Sequence, residues 1–247
     1  MVRLTRRLAA ALLVLALAGC YSTRAPDLSG APDVPATHDA AAAARLVEAA
    51  WTVCGIDAAA SLLDVRVFRT GRLARLGHNH VLSTGAIGGW IALRDATVAA
   101  DLFVSPAAFV IDDPDLRAAA GNEFATTPSD SDRAGTRANL LGDRVLDTAA
   151  HPFLTVRIDA ATLSRGPVLP ARIGVAGVTV DRDLALDTFD NGVATGRFDL
   201  THDELGLAPF TALGGALAVA DTIEVRYRLA LMGDPACASA AMPAFTR

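Results

Sequence analysis

The sequence has few aromatic residues, few cysteines and, beyond its N-terminal region, no apolar stretch long enough to span a bilayer. Phe, Trp and Tyr make up 5% of its 247 residues, and there are three cysteines. It also has no internal repeat and no glycine-rich phosphate-binding loop. These absences exclude a polytopic helical membrane protein and a P-loop nucleotide enzyme. The rest of the composition, 52% hydrophobic and 20% charged, is typical of one globular domain.

The chain has no excess of positive charge. Its formal net charge is -5, and the first nineteen residues contain three arginines and no acidic residue, so the chain without them carries about -8. A negative surface of this size argues against binding nucleic acid, and against attraction to anionic headgroups by net charge.

The first nineteen residues predict a signal peptide, because three arginines precede an apolar run that ends in small residues. A permanent transmembrane anchor is the alternative, but the run of about ten residues is half of the roughly 20 that a spanning helix needs. The sequence Leu17-Ala18-Gly19-Cys20 resembles the lipobox of bacterial lipoproteins, which implies that Cys20 is lipidated and becomes the mature N-terminus. Tyr21 in second place favours the outer membrane, facing the periplasm.

Two cysteines remain, Cys54 and Cys237. The first lies near the start of the predicted folded region, and the second lies just past its last predicted strand. In an oxidising envelope compartment the simplest prediction is a disulfide between them. The alternative is two unpaired small residues in the core.

Four segments follow from composition. Residues 1–19 are the signal peptide, and residues 20–50 are a Pro- and Ala-rich tether with a predicted short helix over 37–50 that begins at Asp39. That helix is expected to hold the domain off the membrane. Residues 51–233 form the folded domain, and residues 234–247 are a C-terminal tail.

Hydrophobic residues of the folded region alternate with polar ones, which predicts half-buried antiparallel strands, about seven in number. The alternating sets are Val65 and Val67; Val98, Ala100, Leu102 and Val104; Leu154, Val156 and Ile158; Ile173 and Val175; Phe198 and Leu200; and Ile223, Val225, Tyr227, Leu229 and Leu231. Residues 112–120 and 129–147 read as helical, and Asp-Asn-Gly at 190–192 as a hairpin turn. The fold class is all-β with one or two short helices, either a barrel or a sandwich.

Several short motifs, in this order, resemble the YceI-like family over roughly residues 54–232. They are Ile56-Asp57 followed by Ser61, His151-Pro152-Phe153 before a strand, and Gly214-Gly215-Ala216-Leu217 with 219–221 before the last strand. The resemblance implies a lipocalin-like closed antiparallel β-barrel of about eight strands that binds a lipid-like ligand, an isoprenoid or fatty-acyl chain. One departure is Gly77-His78-Asn79-His80, where many relatives have a single His.

A barrel of about eight strands has room for its own side chains or for one elongated ligand. Small inward residues favour a cavity; the alternative is that other side chains and the two helical segments fill it. We expect Trp90 and Phe210 at the mouth. The expected lining is Val65, Val67, Leu102, Val156, Ile158, Val175, Phe198, Val225 and Tyr227.

His78 and His80 are two residues apart, so an extended chain places both on one side, and His202 shares the inward parity of Phe198 and Leu200. Together they could ligate a metal, with Asp203 or Glu204 as a further ligand. The alternative is a polar turn that bonds the backbone or a ligand headgroup. No serine has a nucleophile context, which argues against an enzyme.

Two functions therefore remain. The first is an envelope lipoprotein whose barrel carries or buffers an amphiphile, without any other cofactor. The second is a metal-binding or redox-associated periplasmic protein built on His78 and His80. The sequence gives no oligomeric state.

Overall fold

The alternating segments form the walls of a barrel in the computed structural model, which describes residues 35–163 and 166–239. The predicted signal peptide and Cys20 lie outside these residues. The strands are β1 (Thr52–Ile56), β2 (Leu62–Thr70), β3 (His80–Thr84), β4 (Ile87–Arg94), β5 (Thr97–Val104), β6 (Val110–Ile111), β7 (Leu154–Thr162), β8 (Val168–Val175), β9 (Val178–Asp190), β10 (Val193–Thr201), β11 (Thr211–Ala212) and β12 (Leu217–Met232). The helices are α1 (Ala40–Glu48), α2 (Pro114–Ala120), α3 (Asp130–Leu141) and α4 (Pro235–Ser239).

The sheet closes on itself. Neighbouring strands follow the order β1-β4-β5-β7-β8-β9-β10-β12, and the end of β12 pairs back onto β1 through Gly55 with Met232 and Ile56 with Leu231. The earlier part of β12 pairs instead with β2, which continues to β3 and β6. The pairings are antiparallel. The predicted closed antiparallel barrel of eight strands is thereby confirmed.

The predicted alternating segments all lie on strands, namely β2, β5, β7, β8, β10 and β12. The sequence analysis missed β1, β3, β4, β6, β9 and β11. In β3 and β4 the reason is burial on both faces, since β3 has four consecutive buried residues and β4 is buried over residues 90–93. Such strands show no polar alternation.

The predicted hairpin turn joins β9 to β10. Asp190 pairs with Val193, and the two residues between them, Asn191 and Gly192, have φ of 49° and 73°. This left-handed pair is a type I′ turn, whose twist matches that of the flanking strands. Asn and Gly adopt it at low cost.

Two helices begin where the sequence analysis placed them. The Asp113 carboxylate caps α2 by accepting from the N–H groups of Asp115 and Leu116. Ser129 and Asp132 form a capping box at the start of α3. The predicted short helix over 37–50 is α1, which the Asp39 carboxylate caps by accepting from the Ala42 N–H. Helix α4 was not predicted, and the helices in the described ranges exceed the one or two expected. None of these helices is long and apolar enough to cross a membrane.

Helix α1 packs on the outer wall of the barrel instead of standing away from it as a spacer. Its Leu46, with Ala42 and Ala43, covers a cluster formed by Trp51, Trp90, Ala92 and Ala99. At its start, the Asp39 N–H donates to the Asp101 carboxylate at 2.9 Å. Residues 39–48 therefore belong to the folded domain.

The C-terminal segment is covalently tied to the barrel seam. Cys237 of α4 forms a disulfide with Cys54 of β1, and both residues are buried. The bond lies next to the pairs through which β12 meets β1. It joins positions 183 residues apart, so it encloses nearly all of the barrel.

We expect the variant Cys54→Ala, Cys237→Ala to lose about 2–5 kcal/mol of unfolding free energy. In the wild-type protein the disulfide closes a long loop and so lowers the conformational entropy of the unfolded chain, and the variant lacks this constraint. Urea unfolding with and without reductant measures the loss. Reductant should weaken the wild-type protein and leave the double variant unchanged. A wild-type midpoint that ignores reductant would contradict the prediction.

Candidate binding cavity

The interior of the barrel contains a cavity of about 390 Å³. This volume lies within the roughly 300–1,000 Å³ of small-molecule sites. Aliphatic side chains from the strands of the closed path form most of the lining, for example Ile91, Ala100 and Leu184. The space is therefore apolar along its body.

Ten of the eleven residues expected to line the cavity do so. They are Val65, Val67, Leu102, Val156, Ile158, Val175, Phe198, Phe210, Val225 and Tyr227. Trp90 is the exception, and its placement at the mouth was wrong. On β4 Ile91 and Leu93 point inward, so Trp90 points outward, beneath α1.

Helix α3 and one aromatic residue narrow the cavity without filling it. Leu140 of α3, with Val145 and Leu146 after it, lines one end. Tyr227 donates its hydroxyl to the Ala185 carbonyl at 2.7 Å. A Cβ at Gly196 would lie 2.3 Å from that hydroxyl, so only glycine leaves room for it. Burial raises the pKa of the Tyr227 phenol far above its usual value, which keeps the interior uncharged there.

Polar side chains gather at one end of the cavity, which we call the mouth. Strand register brings the end of β2, the start of β3 and the end of β10 to this end, since Val67 pairs with His80 and Thr201 with Thr222. The polar lining residues there include Arg69, His78, His80, Thr136, Asn139 and His202. The cavity is thus apolar along its length and polar at the mouth.

A buried ionic network holds His80. The His80 Nδ1–H donates to the Asp112 carboxylate at 2.6 Å, and the other carboxylate oxygen accepts from the Val81 N–H and from Arg117. Arg117 also donates to the carbonyls of Asn79, Phe124 and Thr126. Because Nδ1 is committed to Asp112, the atom that His80 turns toward α3 is Nε2, 3.5 Å from Thr136 Oγ1.

The two other residues of the Gly-His-Asn-His turn are held as well. The Asn79 side chain accepts from the Arg69 N–H and donates to the Glu123 carbonyl, each at 2.9 Å. His78 Nδ1 lies 3.1 Å from Thr126 Oγ1, and its Nε2 lies 3.8 Å from Asp132. The turn is a fixed polar edge of the mouth.

His202 does not join His78 and His80 in a metal site. Its Nδ1–H donates to the Asp221 carbonyl at 2.9 Å, and Glu204 is paired with Arg182. Over residues 35–163 and 166–239, no group of three or more His, Cys, Asp or Glu side chains is arranged to hold a metal. The expected ligand set of three histidines is therefore not assembled.

Several residues of the mouth were missed by the sequence analysis. Arg69, Thr136 and Asn139 line it, and Asp112 and Arg117 support it from behind. Nothing in the sequence indicates that Arg117 is buried, since an arginine on a short helix is usually exposed. Asn79 lies within the Gly-His-Asn-His motif, so the motif was the signal that could have identified it.

Fold and site together define a class of protein, a closed antiparallel barrel with an apolar cavity that is polar at one end. No family model matches the chain, and no curated protein sequence matches it. Among solved structures it is similar to Burkholderia cenocepacia BcnA, at 12% identity over 70% of this chain and 98% of that chain, with a TM-score of 0.46.

Two other similar structures are a polyisoprenoid binding domain from Saccharophagus degradans implicated in plant cell wall breakdown and a Campylobacter jejuni YceI protein. The first is 13% identical over 71% of this chain and 95% of that chain, with a TM-score of 0.44. The second is 11% identical over 60% and 82%, with a TM-score of 0.40.

The network at the mouth predicts a loss of stability in acid. Burial alone would raise the pKa of Asp112, but the bonds from His80, Val81 and Arg117 outweigh it and hold the pKa below the ordinary 3.8. A lowered folded-state pKa stabilises the protein above about pH 4, and this contribution disappears as the pH falls through the folded-state pKa. Urea unfolding at a series of pH values measures it.

We expect Asp112→Asn to lower the unfolding free energy by about 3 kcal/mol at neutral pH, because Arg117 is left buried without its counter-charge. The variant should also lose less stability than the wild type below pH 4. Asp115→Asn, at an exposed position of α2, is the matched control. Equal acid sensitivity of wild type and Asp112→Asn would refute the assignment.

Proposed function

We propose that the barrel binds the apolar tail of a lipid-like amphiphile, an isoprenoid or fatty-acyl chain, and acts as its carrier or buffer. The observation that carries this proposal is the apolar cavity inside the closed barrel, with polar side chains at one end. The tail would lie along the body of the cavity, where its burial is favourable at roughly 25 cal/mol per Å². The resemblance to YceI-like sequences implies the same ligand class.

The headgroup would remain at the mouth. His80 Nε2, Thr136 Oγ1 and the Asn139 amide offer both donors and acceptors there, and Arg69 adds a positive charge. A headgroup placed deeper would meet only aliphatic walls and leave its polar atoms unpaired. This arrangement supports binding of amphiphiles in one orientation, tail first.

Binding, not catalysis, fits these side chains. Two threonine–histidine pairs lie around the mouth. Thr136 Oγ1 is 3.5 Å from His80 Nε2. Thr126 Oγ1 is 3.1 Å from His78 Nδ1 but also accepts from Arg117. Neither hydroxyl therefore has both a base at the roughly 2.6–3.2 Å of a hydrogen bond and no competing partner. Thr136 also has no strained turn that would expose its hydroxyl, since it lies within α3.

We propose further that the protein is held at the membrane through a lipidated Cys20. The support is the lipobox-like sequence that ends at Cys20, in an N-terminal segment that has the composition of a signal peptide. Anchoring would raise the effective concentration of the barrel where its ligands partition. The bilayer is thus the proposed source or destination of the ligand, on the periplasmic side of the outer membrane.

The ligand proposal is tested by organic extraction of purified protein followed by mass spectrometry, and by binding of fluorescent fatty-acyl and prenyl probes. We expect extracted amphiphile and saturable probe binding. Val156→Phe with Val225→Phe should weaken probe binding about tenfold or more, because these residues line β7 and β12, on opposite sides of the closed path.

The matched control for that pair is Arg157→Phe with Glu224→Phe, next to the lining residues on the same strands. Arg157 and Glu224 are partly exposed on the outer face, so probe binding should be unchanged. An empty extract together with failure of the wild-type protein to bind any probe would refute the function.

The anchor is tested by Cys20→Ser. We expect the wild-type protein to sediment with membranes and to require detergent for release, whereas the variant is released without it. Mass spectrometry of the N-terminal peptide should find acyl groups on Cys20. Washing the wild-type protein off with salt alone would contradict a covalent anchor.

A further inference from the structure

Two loops at the mouth expose large hydrophobic side chains to solvent. Leu76, between β2 and β3, is 59% exposed, and Leu213, between β10 and β12, is 61% exposed. The loops lie against each other, since the Leu73 N–H donates to the Ala216 carbonyl at 2.8 Å. We call residues 71–77 and 205–217 the lip.

The lip differs in charge from the rest of this acidic chain. Residues 205–220 contain no charged side chain, and residues 71–77 contain Arg72 and Arg75, both exposed, and no acid. Arg144, also exposed, lies over the Phe210 ring at 5.7 Å. The lip is therefore apolar and its own charges, Arg72 and Arg75, are positive, whereas the exposed Asp203 and Asp221 lie just outside it.

The lip is also the rim of the cavity. Gly77, Phe210 and Leu217 belong both to the lip and to the cavity lining. An apolar surface on the lip is thus continuous with the apolar interior. Such continuity is what a ligand tail needs in order to pass between the cavity and another apolar phase.

The N-terminal segment reaches the barrel at this same end. His38 packs edge-on against Phe103 with ring centroids 5.1 Å apart, and Arg157 donates to the Thr37 carbonyl. Phe103 pairs with Thr155 close to the end of β5 and the start of β7, which register places on the mouth side. Pro35 is the fifteenth residue after Cys20 in the sequence, so the two are at most about 50 Å apart.

We propose that the lip docks the mouth onto an anionic lipid bilayer, with Leu76 and Leu213 inserted at the interface and Arg72 and Arg75 against the headgroups. This inference rests on the proposed function. It adds that ligand passes directly between bilayer and cavity, with no step through water. Exposed leucines flanked by arginines are the composition of interfacial membrane contacts, and each arginine near an anionic surface contributes about a fivefold gain in affinity.

The test is flotation of the mature chain carrying Cys20→Ser, which keeps every described residue but cannot be acylated, with vesicles of phosphatidylcholine alone or mixed with phosphatidylglycerol. We expect binding to the mixed vesicles that weakens with added salt. Leu76→Ser with Leu213→Ser, and separately Arg72→Glu with Arg75→Glu, should each weaken it tenfold or more.

Matched controls carry the same changes elsewhere on the barrel. Val168→Ser with Met232→Ser alters two other exposed hydrophobic residues, 40% and 54% exposed, away from the lip. Arg197→Glu with Arg226→Glu alters a cross-strand pair on the outer wall. Both controls should float like the parent chain. Controls as weak as the lip variants, or no binding by the parent chain, would overturn the proposal.

Probe binding by the lip variants, measured without vesicles, separates this proposal from the proposed function. Variants that bind the fatty-acyl probe normally but no longer float support docking through the lip. A parent chain that binds the probe but not the vesicles overturns docking and leaves the function intact. Concentration-dependent dimers that disappear in the leucine variant would assign the lip to a second copy, which also overturns it.

Discussion

The pairing of β12 with two different neighbours is the interaction on which the rest of the structure depends. Along its first part β12 bonds to β2, and at its end it bonds to β1, while β10 lies along its other side. Only the end of β12 closes the eight-strand path. The disulfide between Cys54 and Cys237 lies at this closure, so the covalent constraint acts where the sheet has the fewest closing pairs. If the path opened, the interior would become one face of an exposed sheet.

Closure of the sheet holds opposite strands of the barrel apart. Side chains packed on the outer face of the barrel support this arrangement. Helix α1 covers Trp51 and Trp90 on one side, and Phe124 packs edge-on against Phe68 on another. The two tryptophans of the chain are thus both on the outer wall. The largest side chains of the protein therefore stabilise the wall from outside. The interior keeps smaller side chains, mostly aliphatic with a few aromatic residues such as Phe198 and Tyr227, which is why a cavity coexists with a well-packed wall.

Alternation predicted strands with one solvent-facing side, such as β10 and β12, and with them the inward set from Phe198 to Tyr227. Burial on both faces concealed β3 and β4, whereas β9 was missed although its burial alternates. Trp90 was placed wrongly because β4 is buried on both faces, so polarity gives no indication of which side is inside. The network of Asp112 and Arg117 could not be predicted, since only the fold brings this pair, five residues apart in the sequence, against His80 and Asn79 of a distant segment.

The separation of polar and apolar groups within the barrel determines what can enter. Water in an apolar cavity lacks the two to four polar partners that would hold it, so an alkyl or prenyl tail meets little competition along the body. At the mouth the situation is reversed, because His80 is fixed by its buried bond to Asp112 and cannot turn Nε2 away to accommodate an apolar group. A molecule that is apolar throughout would give polar atoms of the mouth such as His80 Nε2 no partner, and one that is polar throughout would leave its own groups unpaired along the apolar body. An amphiphile with its tail inside satisfies both ends of the cavity.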